Sequence, residues 1–323
     1  MKNYARPVIL TSKCITFDSC RFNGGIVSSE VVESLKGYVD FVTVCPEVEI
    51  GLGIPRKALR LVEKNGEERL VQTETEKDYT DAMREYSKRL FSGLDDIDGA
   101  ILKNRSPSCG TNDVKVYSDV EKSGLVDSSS GIFGSEVKKR FPLKPVENEG
   151  RLRNFRIRED FYTSMFAMAR FRKNVEKETS IKNLTDFQAN NKLLLMAYDQ
   201  NKMRELGRIA ANPEEKKIED IIKDYKKLLS NVLSETPSIG AHVNVLEHAF
   251  GYFSQELSSE EKTLFINYVE DFREGKVPLS TLISLVRSWI VRFDQEYLKS
   301  QKYFDPYPKQ LVEISDSGKG RDL

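Results

Sequence analysis

The sequence predicts an α/β N-terminal domain with a mostly parallel sheet, followed by an all-α helical C-terminal domain. Three observations carry this. Short β-rich runs alternate with helical patterns as far as Arg140. Beyond it, apolar residues recur at helical spacing and glycine is sparse. Between the two, Pro142, Pro145 and the polar run Glu147-Asn148-Glu149-Gly150 read as a linker. The expected domains are therefore 1–147 and 152–323.

In chain order, Val8 to Thr11 is a short β-rich run, and Ser28-Ser29 with Glu30 and Glu33 starts a capped helix through Leu35. Val39 to Val44 is a second apolar strand. Leu59 to Val62 and Arg69 to Gln72 flank Asn65-Gly66, a hairpin signal. Asp81 to Phe91 reads as a helix, Asp98 to Lys103 as a third core strand, and Gly131 to Arg140 as a helix. Helical periodicity then marks Phe161–Phe171, Leu193–Met203, Ile218–Leu229, Val243–Phe253, Leu264–Phe272 and Leu279–Leu298, a bundle pattern. The tail from Lys309 reads as frayed.

Composition narrows the function classes. The 323 residues carry 50 Lys+Arg against 50 Asp+Glu, which excludes a strongly basic nucleic-acid coat but not a local basic face. No stretch approaches the roughly 20 apolar residues of a membrane helix. The apolar run Pro7–Leu10 is short of a signal-peptide core, so the chain reads as cytoplasmic. Four cysteines are too few for a disulfide framework. With only His242 and His248, a histidine-based triad is not expected, and carboxylates, thiols and hydroxyls must carry any chemistry.

All four cysteines precede the linker. Cys14 follows the first strand, Cys45 ends the second, and Cys109 lies in the loop after the third. Strand ends of an open parallel sheet share one ligand-binding edge, so these thiols should converge. Three thiolates suit zinc with an open position or an iron–sulfur cluster with one iron lacking a protein ligand. No histidine lies in this half to complete a zinc site, and glycine-rich loops leave room for a cluster. Three buried cysteines acting as small hydrophobes is the plainer alternative.

These segments also carry a resemblance. Thr11-Ser12-Lys13-Cys14 with Cys20-Arg21-Phe22-Asn23-Gly24 resembles S-A-C-L-L-G-x-x-[CV]-R-Y-D-G. Cys45-Pro46-Glu47 through Gly51-Leu52 to Pro55-Arg56 resembles C-P-E-x-x-x-G-L-x-x-P-R, and Lys103 through Ser106-Pro107-Ser108-Cys109-Gly110 resembles K-x-x-S-P-S-C-G. All three are motifs of the thiouracil desulfidase family. The second half is similar to YbgA-type helical domains: Phe187 to Ala197 resembles F-H-x-x-H-K-[YL]-x-L-M-A. The resemblance implies a 4Fe–4S cluster held by Cys14, Cys45 and Cys109, whose fourth iron binds the substrate sulfur, with Glu47 and Ser108 beside it. It also implies tRNA carrying 4-thiouridine as substrate. Desulfuration of a free thiouracil or thionucleoside is the alternative, as is a non-catalytic RNA-binding iron–sulfur protein. The chain departs from the motifs at Lys13, Asn23, Gln188 and Asn191.

On this reading Glu47 is the base that activates water, and Ser108 hydrogen-bonds the ring or relays a proton; the plainer alternatives are that Glu47 pairs with Arg56 and Ser108 caps its loop. Lys103 and Arg56 are candidate cations for a uracil carbonyl or phosphate, and Asn23 stands where the family has a carboxylate. Cys20 is a spare thiol. Seven cations between Arg151 and Lys173, against Glu159 and Asp160, form a candidate phosphate-contacting segment. His242, His248 and Trp289 read as core residues.

Overall fold

The computed structural model describes residues 4–120, 124–212 and 215–312. Two compact units divide the chain: one runs up to Ala169 and takes in the chain from Pro308, the other is Arg170–Tyr307. The first unit holds β1 (Val8–Ser12), α1 (Glu30–Leu35), β2 (Asp40–Val44), α2 (Pro46–Glu49), β3 (Leu59–Lys64), β4 (Glu67–Gln72), α3 (Thr80–Ser92), β5 (Gly99–Leu102), β6 (Val114–Tyr117), β7 (Leu125–Ser129), α4 (Ile132–Arg140), β8 (Val146–Asn148) and most of α5 (Phe155–Phe171).

An all-parallel sheet runs in the order β2-β1-β5-β8. Its central strands are buried on both faces, with Ile9, Leu10, Ala100, Ile101 and Leu102 inaccessible, as a covered parallel sheet requires. Ser29 caps α1 by accepting the Val32 N–H, as the serine-glutamate pattern indicated. The chain lays β2 on one side of β1 and returns to place β5 on the other. The topological switch point therefore falls between β1 and β5, and all four strands end at one edge.

A second sheet, in the order β4-β3-β6-β7, is mixed. Its β3–β4 hairpin turns at Asn65 and Gly66, both at positive φ, as the Asn-Gly signal specified. The other pair, β6 and β7, had no sequence signal: β7 is Leu-Val-Asp-Ser-Ser and mostly exposed, so no apolar alternation marks it. Leu10, Val44 and Leu102 from the first sheet share a core with Leu61, Leu70 and Val116 from the second, and with Met83, Phe91, Phe133 and Val137 from α3 and α4.

The expected linker is corrected by the structure. Val146–Asn148 is the fourth strand of the parallel sheet, pairing with β5. Asn148 and Glu149 are buried. Polar side chains with partners hold this strand, so its composition reads as loop.

The second unit is helical: α6 (Ile181–Tyr198), α7 (Gln200–Ala211), α8 (Ile218–Val232), α9 (Ile239–Gly251), α10 (Ser259–Arg273), α11 (Leu279–Arg292) and α12 (Glu296–Ser300). Two expected helices are each broken once. Asp199 takes an extended conformation and its carboxylate caps α7 by accepting the Asn201 and Lys202 N–H groups, which splits 193–203. Asp294 at φ +52° ends α11 and splits 279–298. Trp289 packs with Phe250, Phe253 and Phe265 as expected, whereas His248 is exposed. Lys309–Leu311 form a short 3-10 turn with Leu311 buried; the rest of the expected frayed tail, from residue 313, lies outside the described residues.

His242 is neutral in this unit. Burial lowers its pKa from 6.5 to about 4, and its Nδ1 lies 3.0 Å from the Tyr303 hydroxyl. Between those two pKa values the unfolded chain holds a proton that the folded chain refuses. Stability contributed here is full above about pH 6.5 and is lost as pH falls towards 4, a loss of about 3 kcal/mol. Denaturant titrations at pH 7 and pH 4 should show a smaller acid loss in His242→Gln than in the unaltered chain; equal losses would refute this assignment.

Candidate active site

The C-terminal edge of the parallel sheet is stitched by short contacts between loops. Lys13 N–H donates to Val44 O at 2.7 Å, joining the ends of β1 and β2. Lys103 N–H donates to the Ser12 hydroxyl at 3.0 Å, joining β1 to β5 across the switch point. Ser12 is fully buried and also hydrogen-bonds the Cys109 thiol. It stands at the serine of the first motif, where sequence reasoning assigns no role.

Cys14, Cys45 and Cys109 lie within electrostatic reach of one another, and Glu47 acts on both Cys14 and Cys109. Burial first, and then neighbouring Cys45, push the Cys14 thiol up to about 11. Burial pushes the Cys109 thiol well up, against a lowering hydrogen bond from Ser12. Cys20 is buried, hydrogen-bonds the Cys45 thiol and is pushed up to about 12, mainly by burial. Among the described residues, no three His, Cys, Asp or Glu side chains gather closely enough to hold one metal ion. Three soft sulfur donors are a set that suits iron–sulfur ligation.

Glu47 sits in the short helix α2 directly after Cys45. Its Oε2 accepts from Arg56 Nε at 2.6 Å and lies 2.6 Å from Nη2, in a pair largely shielded from solvent. Arg56 also donates to the Cys20 and Gly53 carbonyls. Lys103 is likewise committed: its ammonium pairs with Glu149 and with Asn104 Oδ1. Glu149 in turn accepts the Asn104 N–H at 2.8 Å. Both cations expected to meet substrate thus have partners within the chain. Asn23 is exposed, and its Oδ1 accepts the Gly25 N–H at 3.1 Å, closing a turn. Lys13 pairs with Asp18. Glu149 was missed because it stood in the expected linker.

Ser108 is inaccessible to solvent, and its hydroxyl has no hydrogen-bond partner among the described residues. A buried polar atom left without a partner is costly, so this hydroxyl marks a place where something else completes the site. Its loop is held by the start of α4. The N–H groups of Gly131, Ile132 and Gly134 donate to the carbonyls of Gly110, Pro107 and Ser108. These are the donors that a helix leaves unused in its first turn. The approach is close enough to exclude side chains: a Cβ on Gly134 would stand 2.3 Å from Gly110 O.

The motif residues of the second unit serve its packing. The Gln188 amide donates to Met203 O and its carbonyl accepts from Tyr225, while the Asn191 amide donates to Phe187 O. A polar cavity of about 230 Å³ opens there beside Arg170, Asn174, Glu178, Asp186 and Lys302. Of the seven clustered cations, Arg158 and Arg170 are buried on backbone carbonyls. Arg153 and Arg156 are exposed with no carboxylate partner among the described residues, and Arg151 pairs with Glu147.

Residues 9–149 match the family model described as 2-thiouracil desulfurase, and residues 192–308 match that described as protein of unknown function DUF1722. Protein YbbK of Bacillus subtilis is 31% identical over 149 residues, covering 44% of this chain and 97% of YbbK. Protein YbgA of Escherichia coli is 26% identical over 136 residues, covering 42% of this chain and 80% of YbgA. A solved structure, the [4Fe-4S]-dependent thiouracil desulfidase TudS, is 23% identical with a TM-score of 0.35, covering 46% of this chain and 93% of its own. A parallel sheet whose strand ends gather thiols beside a carboxylate defines the class of site. Through its first half, the chain belongs to the 2-thiouracil desulfurase family. Among the described residues no helix is long and apolar enough to cross a membrane.

Alanine for glycine inside a helix ordinarily stabilises. Gly134→Ala should do the reverse, lowering stability by about 2 kcal/mol because its Cβ meets backbone on the Cys109 loop. A denaturation midpoint equal to that of the unaltered chain would refute the close approach.

Proposed function

We propose that the chain is a desulfidase that replaces the thiocarbonyl sulfur of a thiolated uracil with oxygen, acting on 4-thiouridine in tRNA. Family membership supports the reaction class. The observation that carries the reading is the meeting of Cys14, Cys45 and Cys109 at one strand-end edge, beside Glu47 and the unpartnered Ser108 hydroxyl. The free thiols fit a reducing cytoplasm.

In this reading Cys14, Cys45 and Cys109 would hold a 4Fe–4S cluster, which would supply Lewis-acid polarisation of the carbon–sulfur bond. The reaction balances as thiocarbonyl plus water giving carbonyl plus hydrogen sulfide, with no net electron transfer. Arg56 fixes Glu47 through Oε2, which leaves Oε1 to orient a water at the thiocarbonyl carbon and accept its proton. Ser108 offers its hydroxyl to the ring or to the departing sulfur. Lys103 acts from behind, holding the Cys109 loop through Glu149 and Asn104 rather than touching substrate. The α/β part performs the chemistry, and phosphate contacts fall to the exposed arginines that follow β8.

Anaerobic reconstitution followed by nucleoside analysis of treated tRNA tests the reading directly: conversion of 4-thiouridine to uridine is expected. Alanine at Cys14, Cys45 or Cys109 should lose bound iron, and Cys20→Ala should keep it; the opposite pattern overturns the ligand set. Glu47→Gln should retain iron while turnover falls by roughly a hundredfold or more. Replacing Arg151, Arg153 and Arg156 with glutamate should weaken tRNA binding and flatten its salt dependence. Unchanged binding at every salt concentration would leave that segment a solvated face.

A further inference from the structure

Arg56 and Lys103 are bound within the chain, so the edge that carries the thiols needs another means of holding substrate. The loop after Cys20 provides one. Its residues 21–25 form a tight turn, with Arg21 N–H donating to Gly25 O at 3.2 Å and Gly24 N–H to Arg21 O at 2.9 Å. The turn is pinned to the segment after α2, where Arg56 N–H donates to Phe22 O at 2.7 Å. The two loops present three large apolar side chains to solvent: Phe22 is 44% exposed, Ile26 46% and Ile54 45%. A Cβ on Gly24 would stand 4.0 Å from the Ile54 side chain, so the two loops form one surface.

Clustered exposed apolar side chains mark a surface that something covers. The charge beside this one says what. The Arg21 guanidinium lies 5.8 Å from the centre of the Phe22 ring and has no carboxylate partner among the described residues. Lys13, the other cation of this loop region, is neutralised by Asp18. An aromatic ring with aliphatic neighbours takes the flat face of a base, and an unpaired guanidinium beside it takes a phosphate. A free thiobase would use the first and leave the second empty.

We propose that Arg21, Phe22, Ile26 and Ile54 form a nucleotide-binding lip at the mouth of the site, its occupant an RNA strand. One base lies against Phe22 and the two isoleucines, and a phosphate of the same strand meets Arg21. This rests on the desulfidase reading for the position of the thiolated base, but the lip's affinity for RNA is separable from the chemistry.

The test uses the anaerobically prepared full chain and a short labelled oligoribonucleotide containing one 4-thiouridine, with a uridine-only copy as control. Affinity is read by fluorescence anisotropy across a salt series. Phe22→Leu should weaken binding of both oligonucleotides roughly tenfold. Arg21→Gln should weaken it and lower the salt slope by about one. Melting temperatures equal to that of the unaltered chain would show that both substitutions leave the fold intact. Unaltered affinity and slope in both variants overturn the lip. So does a defect confined to a free thiouridine nucleoside, or a dimer of the unaltered chain that the variants dissolve. Conversion of the 4-thiouridine oligonucleotide by the unaltered chain is scored separately. Binding defects without any conversion leave the lip standing and refute the desulfidase reading; conversion with normal binding in both variants does the opposite.

Discussion

The contact of Glu149 with Lys103 and Asn104 ties the edge strand of the parallel sheet to the loop that carries Cys109. Without it, β8 would pair with β5 through three residues, and the start of the loop after β5 would lose one of its anchors. The pair is mostly buried, and a carboxylate and an ammonium taken from water need each other and further hydrogen bonds. Asn104 supplies those from both its backbone and its side chain. Asn148, one residue earlier, reaches Thr111 at the far end of the same loop. Two consecutive residues therefore clasp both ends of the segment between β5 and β6.

The site's charges are arranged by the same logic. Glu47 and Glu149 each face one cation, so the thiols sit among balanced pairs rather than in a net field. Burial meanwhile pushes the Cys14 and Cys109 thiols up. The pairing also takes Arg56 and Lys103 out of contention for substrate.

Much of this was legible before any coordinates. The parallel sheet followed from apolar runs separated by helices, and the shared edge of the three thiols from their places at strand ends. What composition concealed was structure held by polar groups. The segment Val146–Asn148 reads as linker because Glu147, Asn148 and Glu149 make their contacts through side-chain oxygens and amides. The mixed sheet stayed hidden because β7 exposes nearly all of its residues. In the helical unit, periodicity ran through two aspartates that end helices, since one capping side chain barely alters an apolar pattern. Glu47 and Arg56 pair within one motif, nine residues apart, whereas Lys103 takes Glu149, which is distant in sequence and outside the motifs.

The loop around Cys109 gives its carbonyls to the first turn of α4, not to anything that binds later. Gly131 and Gly134 let the two backbones approach to where a side chain would collide. Hydrogen bonds within the protein fix this loop, so its conformational entropy is lost when the chain folds. The position of the thiol is therefore set by backbone contacts that any helix of this geometry could make, and not by the chemistry of the thiol itself.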